Sequence, residues 1–219
     1  MEREVQPVGG QLPPAASCCE SDHDERARER LLRAAADVFD RKGYAGASVR
    51  EIVEQAGITK PVLYYHYGSK EGMLLAILEE GAKLFQAGLA RGVQSPGTAR
   101  QRLQGLCDEM FALFRHNVSA VRVAHAVFFG PRDALPPFDF EKFDGALRAA
   151  IRSVVEDGMA AGEIRRAPVA DVVTAITGVI ALFTDIELTP NAVTLTLDDV
   201  HRVLDLIFEG LVPARDKEN

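Results

Sequence analysis

The residues with the clearest chemistry lie between positions 48 and 71, where tyrosine, histidine and lysine side chains crowd around two short helix patterns. Lys60, Tyr64, His66 and Lys70 all carry hydrogen-bond donors, and both lysines are positively charged. Donors of this kind bind phosphate oxygens and the acceptor edges of bases. A helix of about seven residues is too short to be stable alone, so a partner helix must hold it. The stretch therefore predicts a short helix presented to the major groove of DNA.

Two helices joined by a tight turn are predicted to form this surface. Ser48 is followed three residues later by Glu51, which is the spacing of a capping box and predicts a helix over 49–56. Thr59 is expected to cap a second helix over 60–66. A first helix that crosses the DNA backbone and a second that enters the groove make a helix-turn-helix.

The charge distribution is compatible with such a surface, although the whole chain is acidic. The net charge of the 219 residues is −7. Residues 25–72, however, carry nine Lys or Arg against seven Asp or Glu, so the segment with the short helices is positive. The local charge is what meets phosphate, and the negative total does not exclude DNA as a partner.

The pattern of apolar residues predicts an all-α chain of nine helices, with no strand alternation and no internal repeat. Residues 1–23, with paired glycines and prolines, are predicted to be a disordered tail. Residues 24–70 form the predicted DNA-binding domain and residues 71–219 a larger helical domain. The first helix is expected over 24–42 and the fourth begins after Ser69. The later ones are predicted at 97–115, 118–129, 138–161, 168–187 and 197–211.

The cysteines and the remaining motifs favour an intracellular, non-enzymatic protein. An odd count of three, Cys18, Cys19 and Cys107, argues for a reducing cytoplasm. We expect no apolar segment close to the ~20 residues that span a membrane, so no membrane partner is expected. Metal-ligand spacings and phosphate-binding loops are not found, and no metal, cofactor or catalytic residue is predicted.

One enzymatic alternative uses Cys107 as a nucleophile with His116 or His125 as its base. Cys107 lies among apolar residues such as Leu103 and Met110, which instead predicts a buried, inert thiol.

The chain resembles the TetR family of bacterial transcriptional regulators over residues 26–78. The residues that carry the resemblance are Leu31, Ala35, Phe39, Gly43-Tyr44, Ser48, Ile52, Ala56-Gly57-Ile58-Thr59, Leu63-Tyr64-Tyr65-His66-Tyr67, Ser69-Lys70-Glu71 and Leu74-Leu75. The resemblance implies DNA contacts at Ser48, Arg50, Thr59, Lys60, Pro61, Val62, Tyr64, Tyr65, His66 and Lys70. Gly72 departs from the family pattern and is expected to weaken the start of the fourth helix by about 1 kcal/mol.

The resemblance also implies that the larger domain dimerises and binds a small molecule. Broad apolar faces on the eighth and ninth predicted helices would pair in a four-helix bundle between two copies. The alternative is that both faces pack inside one subunit. The residues of these faces are Val172, Val173, Ile176, Val179, Ile180, Phe183, Val200, Val203, Leu204, Ile207, Phe208 and Leu211.

A cluster of phenylalanines on the fourth to sixth predicted helices is the candidate effector site. Such a cluster predicts a hydrophobic or aromatic ligand, although an aromatic stripe at helical spacing can also be solid core. The candidate residues are Phe85, Met110, Phe111, Phe114, Arg122, His125, Phe128 and Phe129.

Together these features predict a homodimeric, ligand-responsive regulator of transcription that binds a palindromic operator. We expect a repressor that a small molecule releases by moving the fourth helix. The alternatives are an architectural DNA-binding protein without an effector and a small helical enzyme.

Overall fold

The computed structural model describes residues 16–130, 138–189 and 196–211, with side chains described from residue 24 to residue 210 within those ranges. Over these ranges the regular structure is all helical, with short turns between the helices and no strand, which confirms the predicted all-α fold. The helices are α1 (Ala16–Gly46), α2 (Val49–Ala56), α3 (Lys60–Tyr67), α4 (Lys70–Gln94), α5 (Ala99–His116), α6 (Val118–Phe129), α7 (Glu141–Ala160), α8 (Val169–Leu188) and α9 (Leu197–Leu211).

The first helix begins earlier than the sequence pattern predicted. We expected a tail over 1–23, but α1 begins at Ala16, and residues 1–15 lie outside the described ranges. The stretch from Ala16 to Lys42 contains no glycine or proline, so nothing in it breaks a helix, even though its first turns are polar. The regular helix is interrupted at Gly43, whose φ of 70° suits glycine best.

Two hydrophobic clusters divide the molecule. The head core joins α1, α2 and α3 to the first turns of α4 and to α6, where Val123 and Val127 are buried. The body core joins the rest of α4 to α5, α7, α8 and α9. Since α4 contributes to both, it connects the short helices to the larger domain without a flexible linker.

The end of α3 and the start of α4 approach so closely that Gly72 is required. A Cβ atom at this position would lie 2.0 Å from the carbonyl oxygen of Tyr67. We predicted that Gly72 weakens α4 through its poor helix propensity, and the contact shows that this prediction was wrong. The glycine permits the tight connection between the two helices, which no other residue would fit without a shift of the backbone.

By length and composition alone, α8 is apolar enough to cross a membrane, which corrects the prediction that no such run exists. One face of α8 is nevertheless buried in the body core, so the helix packs as a core element. The buried residues are Val172, Val173, Ile176, Thr177, Ile180 and Phe183.

Helix α4 also offers a matched pair of glycines for testing the packing. A Cβ at Gly92 would lie 2.6 Å from the Cα of Leu106 on α5, whereas a Cβ at Gly81 would meet nothing within 4 Å. We expect Gly92→Ala to lower the free energy of unfolding by about 1–3 kcal/mol, because the two backbones must separate. We expect Gly81→Ala to raise it by about 0.5–1 kcal/mol through helix propensity. Urea denaturation of both variants checks this, and changes of the same sign would contradict the packing.

Candidate nucleic-acid interface and effector cavity

The start of α2 is fixed by the capping box that the sequence predicted. The Glu51 N–H donates to the Ser48 hydroxyl at 3.3 Å, and the Ser48 N–H donates to Glu51 Oε2 at 3.2 Å. Lys42 also donates to the Glu51 carboxylate, and this bond, followed by those from Ser48, lowers the pKa of Glu51. The prediction of a capped α2 over 49–56 is confirmed.

The turn between α2 and α3 is closed by its own backbone and by α1. Gly57 adopts the left-handed conformation, with φ 63° and ψ 40°, and its N–H donates to Glu54. The Ile58 N–H donates to the Val53 carbonyl at 3.0 Å. From α1, the Arg30 guanidinium donates to the Ala56 carbonyl at 2.5 Å. The angle between α2 and α3 is therefore set by hydrogen bonds on both sides of the turn.

Lys70 holds the start of α4 against the end of α1 and the residue that follows it. Its Nζ donates to the carbonyl of Tyr44 at 2.8 Å and to that of Ala47 at 3.0 Å. The same ammonium lies 4.4 Å from the centre of the Tyr44 ring, within the range of a cation–π contact. Lys70 was expected to donate to a phosphate, but two of its three N–H groups are directed into the protein. In this structure Lys70 positions the start of α4.

The inner side of α3 contacts α1 through Tyr67 and His66. The Tyr67 hydroxyl donates to the Arg28 carbonyl at 2.8 Å, and burial raises the pKa of Tyr67 to about 12. The His66 side chain is only 7% exposed, and its Nε2 lies 3.2 Å from Asp24 Oδ1. His66 was expected to face phosphate. The structure instead places its ring at the α1 contact, because the turn of α3 directs residues 63, 66 and 67 inward.

The outer side of α3 presents the remaining candidates to solvent. Tyr65 is 79% exposed and Tyr64 is 49% exposed, and Lys60 and Pro61 are exposed beside them. Val62 is half-buried against the head core.

Three more candidates flank this outer side of α3. Thr59 occupies the cap position, but its side chain makes no capping hydrogen bond, which corrects the predicted cap. Ser48 is exposed, and Arg50 is exposed with its Nε 2.7 Å from Glu54 Oε1. We call the surface of Ser48, Arg50, Thr59, Lys60, Pro61, Tyr64 and Tyr65 the reading face.

Comparison with known proteins identifies the arrangement. The family model described as bacterial regulatory proteins, tetR family, matches residues 31–77, which run from α1 through α2 and α3 into α4. The solved structure of PfmR, a TetR family transcriptional regulator from Thermus thermophilus, superposes with a TM-score of 0.68 at 22% identity. The superposition covers 84% of this chain and 100% of that chain. Residues 31–77 are thus similar to the DNA-binding domain of the TetR family, and the chain has the fold of TetR family structures.

Curated TetR-type relatives include both an activator and a repressor, each from Mycolicibacterium smegmatis. The transcriptional activator FasR is 36% identical over 100 residues, which are 46% of this chain and 45% of FasR. The transcriptional repressor KstR2 is 28% identical over 139 residues, or 63% of this chain and 67% of KstR2. The match thus spans just under half of FasR.

One similar structure contains a small molecule. The transcriptional regulator FadR from Bacillus subtilis was solved in complex with stearoyl-CoA, and it superposes with a TM-score of 0.65 at 18% identity. The superposition covers 84% of this chain and 99% of that chain.

A large cavity lies between the two hydrophobic cores. We call it the aromatic cavity; its volume is about 810 Å³, and α1, α4, α5, α6, α7 and α8 all contribute to its walls. Four predicted effector residues line it, namely Phe85, Phe114, His125 and Phe128. Met110 and Phe111 do not line it; both are buried, Met110 within the body core.

The sequence reading missed the wall that α7 supplies to the aromatic cavity. Phe140, which directly precedes α7, and Phe143 line the cavity, with the Phe143 ring centre 5.4 Å from that of Phe85. The Phe140 ring lies 5.3 Å from that of Phe128. The density of phenylalanines between positions 85 and 143 was the signal that could have identified this wall.

A second, more polar pocket adjoins the aromatic cavity. We call it the polar pocket; its volume is about 760 Å³, and Arg122 and Phe129, the two other predicted effector residues, line it. His125 and Leu188 line both spaces, so the two are neighbours. The predicted effector set is therefore divided between an apolar space, a polar space and the solid core.

The apolar faces predicted to form the dimer interface mostly point into the subunit. Eight of these residues are buried in the body core, namely Val172, Val173, Ile176, Ile180, Phe183, Val200, Leu204 and Phe208. Val179, Val203 and Ile207 are partly buried at its edge, and the Leu211 side chain lies outside the described residues. The alternative of internal packing is correct for the buried eight, because these sides of α8 and α9 face α5 and α7.

Cys107 does not have the environment of a nucleophile. It is buried, and that burial raises the pKa of its thiol to about 12, so the thiol stays protonated near neutral pH. The His116 ring bonds to the Ala112 carbonyl at 2.7 Å, and the His125 ring to Asp185 at 3.1 Å. Both proposed bases are thus engaged elsewhere.

Two tyrosines of α3 allow a test that separates DNA binding by the helix from its attachment to α1. Tyr65→Phe removes an exposed hydroxyl, and we expect DNA affinity to fall about two- to tenfold with an unchanged melting temperature. Tyr67→Phe removes the hydroxyl that holds α3 to α1, and we expect it to lose about 0.5–1.5 kcal/mol of stability. Anisotropy titrations and thermal melts of both variants measure the difference. If Tyr65→Phe lowered stability and left DNA binding unchanged, the assignment of the two faces would be wrong.

Proposed function

We propose that this protein is a cytoplasmic, homodimeric repressor that binds operator DNA through the reading face and releases it when a small apolar molecule fills the aromatic cavity. The observation that carries the proposal is the outer side of α3, where Lys60, Tyr64 and Tyr65 are exposed on a helix fixed from behind. A preorganised helix of this kind loses little entropy on binding. Its tyrosine hydroxyls and ammonium suit phosphates and base edges.

The charges around α3 support a DNA partner. Arg50 and Lys42 are paired with Glu54 and Glu51, whereas Lys60 has no acidic partner among the described residues. An unpaired cation beside two exposed tyrosines is positioned to neutralise a phosphate. Binding should then release counterions and weaken as salt rises.

The aromatic cavity favours an effector-responsive regulator over an architectural DNA-binding protein. A larger domain without a cavity would have supported an architectural protein, but a cavity of about 810 Å³ lies next to α4. FadR, which has a similar fold, was solved with stearoyl-CoA. Because Gly81, Leu84 and Phe85 of α4 line this space, a ligand there would displace the helix that carries the reading face.

A second copy of the chain is proposed to cover the outer sides of α8 and α9. On α8, Gly178 and Leu182 are exposed at a spacing of four residues, and on α9 the same spacing places Leu206 and Gly210 outward. Leu206 is 67% exposed, and a Cβ at either glycine would meet nothing within 4 Å. The seam between two copies is therefore shifted around both helices from the faces that the sequence pattern suggested. Two reading faces could then meet successive major grooves, ~34–36 Å apart.

The DNA-binding proposal is tested by fluorescence anisotropy with the DNA directly upstream of this protein's gene. We expect specific binding whose affinity falls as the salt concentration rises. For Lys60→Gln we expect a shallower slope of log affinity against log salt concentration, by the equivalent of about one phosphate contact per subunit. Lys83→Gln is the control, because Lys83 pairs with Glu80 away from the reading face. Equal affinity for the upstream DNA and for scrambled DNA would prompt selection from random sequences. Failure to enrich any sequence there would refute the proposal.

The dimer proposal is tested by Leu206→Glu and by sedimentation. We expect the wild type to sediment as a dimer and the variant as a monomer, because two glutamates would meet in an apolar seam. Glu209→Gln, an exposed change on the same helix, should leave the dimer intact. A Leu206→Glu variant that stays dimeric with an unchanged dissociation constant would place the interface elsewhere.

A further inference from the structure

Arg122 stands out among the polar groups near the two cavities because its hydrogen bonding is incomplete. Its Nε is buried and has no acceptor among the described residues. Its Nη1 lies 3.5 Å from Asp40 Oδ2, longer than the ~2.7–2.9 Å of a close charge-assisted hydrogen bond. The side chain is about one-third exposed and lines the polar pocket, so a ligand can reach it. A buried donor without an acceptor is costly, and an oxygen supplied by a ligand would satisfy it.

The acidic residues of the two spaces are distributed unevenly. The aromatic cavity is lined by four carboxylates, Glu29, Asp37, Glu80 and Asp144, and by two arginines, Arg33 and Arg115. Glu80 pairs with Lys83 and Asp144 with Arg148. The polar pocket has two carboxylates and two arginines, with Asp40 facing Arg122 and Asp185 bonded to His125 at 3.1 Å. Carboxylates therefore outnumber arginines only in the aromatic cavity, which disfavours an anionic group there. A ligand with an acidic end would therefore place that end in the polar pocket.

The aromatic cavity and the polar pocket are neighbours, since His125 and Leu188 line both. The phenylalanine-lined part can bury a long hydrocarbon or aromatic body, whose transfer from water contributes roughly 25 cal/mol per Å². The polar pocket offers Arg41 and Arg122 at the other end. A ligand that fills both spaces would be apolar along most of its length and charged at one end.

We propose that the effector is an amphiphile with an acidic head group, whose apolar body occupies the aromatic cavity and whose head group binds Arg122 in the polar pocket. The inference rests on the proposed function, since it assigns the chemical class of the effector. The head group competes with Asp40 for the guanidinium. Asp40 belongs to α1, so binding removes an ion pair between α6 and the helix that supports the reading face.

The test uses a fluorescent fatty acid, cis-parinaric acid, and its uncharged methyl ester, which have the same hydrocarbon chain. The protein contains no tryptophan, so probe fluorescence is free of indole transfer. We expect the wild type to bind the acid more tightly than the ester. Arg122→Gln should weaken binding of the acid about tenfold or more and leave the ester unchanged, because a hydrogen bond to a charged group is lost. Arg122→Lys should recover part of the loss.

Two further variants locate the head group. Asp40→Asn should tighten binding of the acid, because it removes the competitor for Arg122. Arg115→Gln removes a cation that lines the aromatic cavity itself. If Arg115→Gln weakened binding of the acid and Arg122→Gln did not, the assignment of the head group would be overturned. Equal affinity for acid and ester, or binding of neither, would overturn the acidic-head proposal.

Operator binding without any probe is measured on the same preparations. If operator binding is absent but the acid binds through Arg122, the proposed function fails and the ligand assignment stands. If operator binding is present and the acid does not bind, the ligand assignment alone fails.

Discussion

The structure depends on one continuous helix that is packed into two separate cores. The first turns of α4 bury Met73, Leu74 and Ile77 with the DNA-binding helices, and its last turns bury Leu89 and Gly92 against α5. Close-packed interiors do not deform gradually, so a displacement at one end of such a helix must appear at the other. The aromatic cavity opens onto the middle of α4, between these two anchored ends. This position is what would allow a small molecule to affect a distant DNA surface.

The reading face is held in place by hydrogen bonds on the opposite side of α3 and in the neighbouring turns. Lys70 bridges two carbonyls before α2, Tyr67 bonds to α1, and Arg30 bonds to the end of α2. None of these three groups touches the outer surface of α3. Their effect is to fix the orientation of the tyrosines that do, which is the requirement for preorganised recognition.

Features that depend on neighbouring residues in the chain were predictable from the sequence. The capping box of Ser48 and Glu51, the turn at Gly57 and the limits of α2 follow from spacings of three or four residues, and all were confirmed. The inward direction of His66 and the internal bonds of Lys70 were not predictable. Both depend on where α1 and the loop before α2 lie, and a short helix rich in polar aromatic residues has no apolar stripe to indicate its inner side.

In the larger helical domain, too, the sequence did not indicate which side of a helix is buried. Helix α8 is apolar almost all round, so its sequence alone could not distinguish Ile176, which faces the core, from Leu182, which faces outward. Likewise, the phenylalanine cluster indicated an apolar region but did not distinguish Phe111, which is buried, from Phe114, which lines the cavity. Which face of a helix is covered depends on tertiary contacts between distant segments. Position 72 is a further example, because it must be glycine to leave space for the carbonyl oxygen of Tyr67.

The most direct test of the account is the operator affinity of a variant whose cavity is filled by its own side chain. Ala124 of α6 lines the aromatic cavity, and Ala124→Trp would place an indole there while adding a fluorescent reporter to a chain that has no tryptophan. If occupancy of the cavity controls DNA binding, the variant should fold and dimerise, show buried-indole emission, and bind operator at least about tenfold more weakly, the loss expected from about 1.4 kcal/mol of coupling. A folded dimer with a buried indole and wild-type operator affinity would contradict the coupling between cavity and reading face.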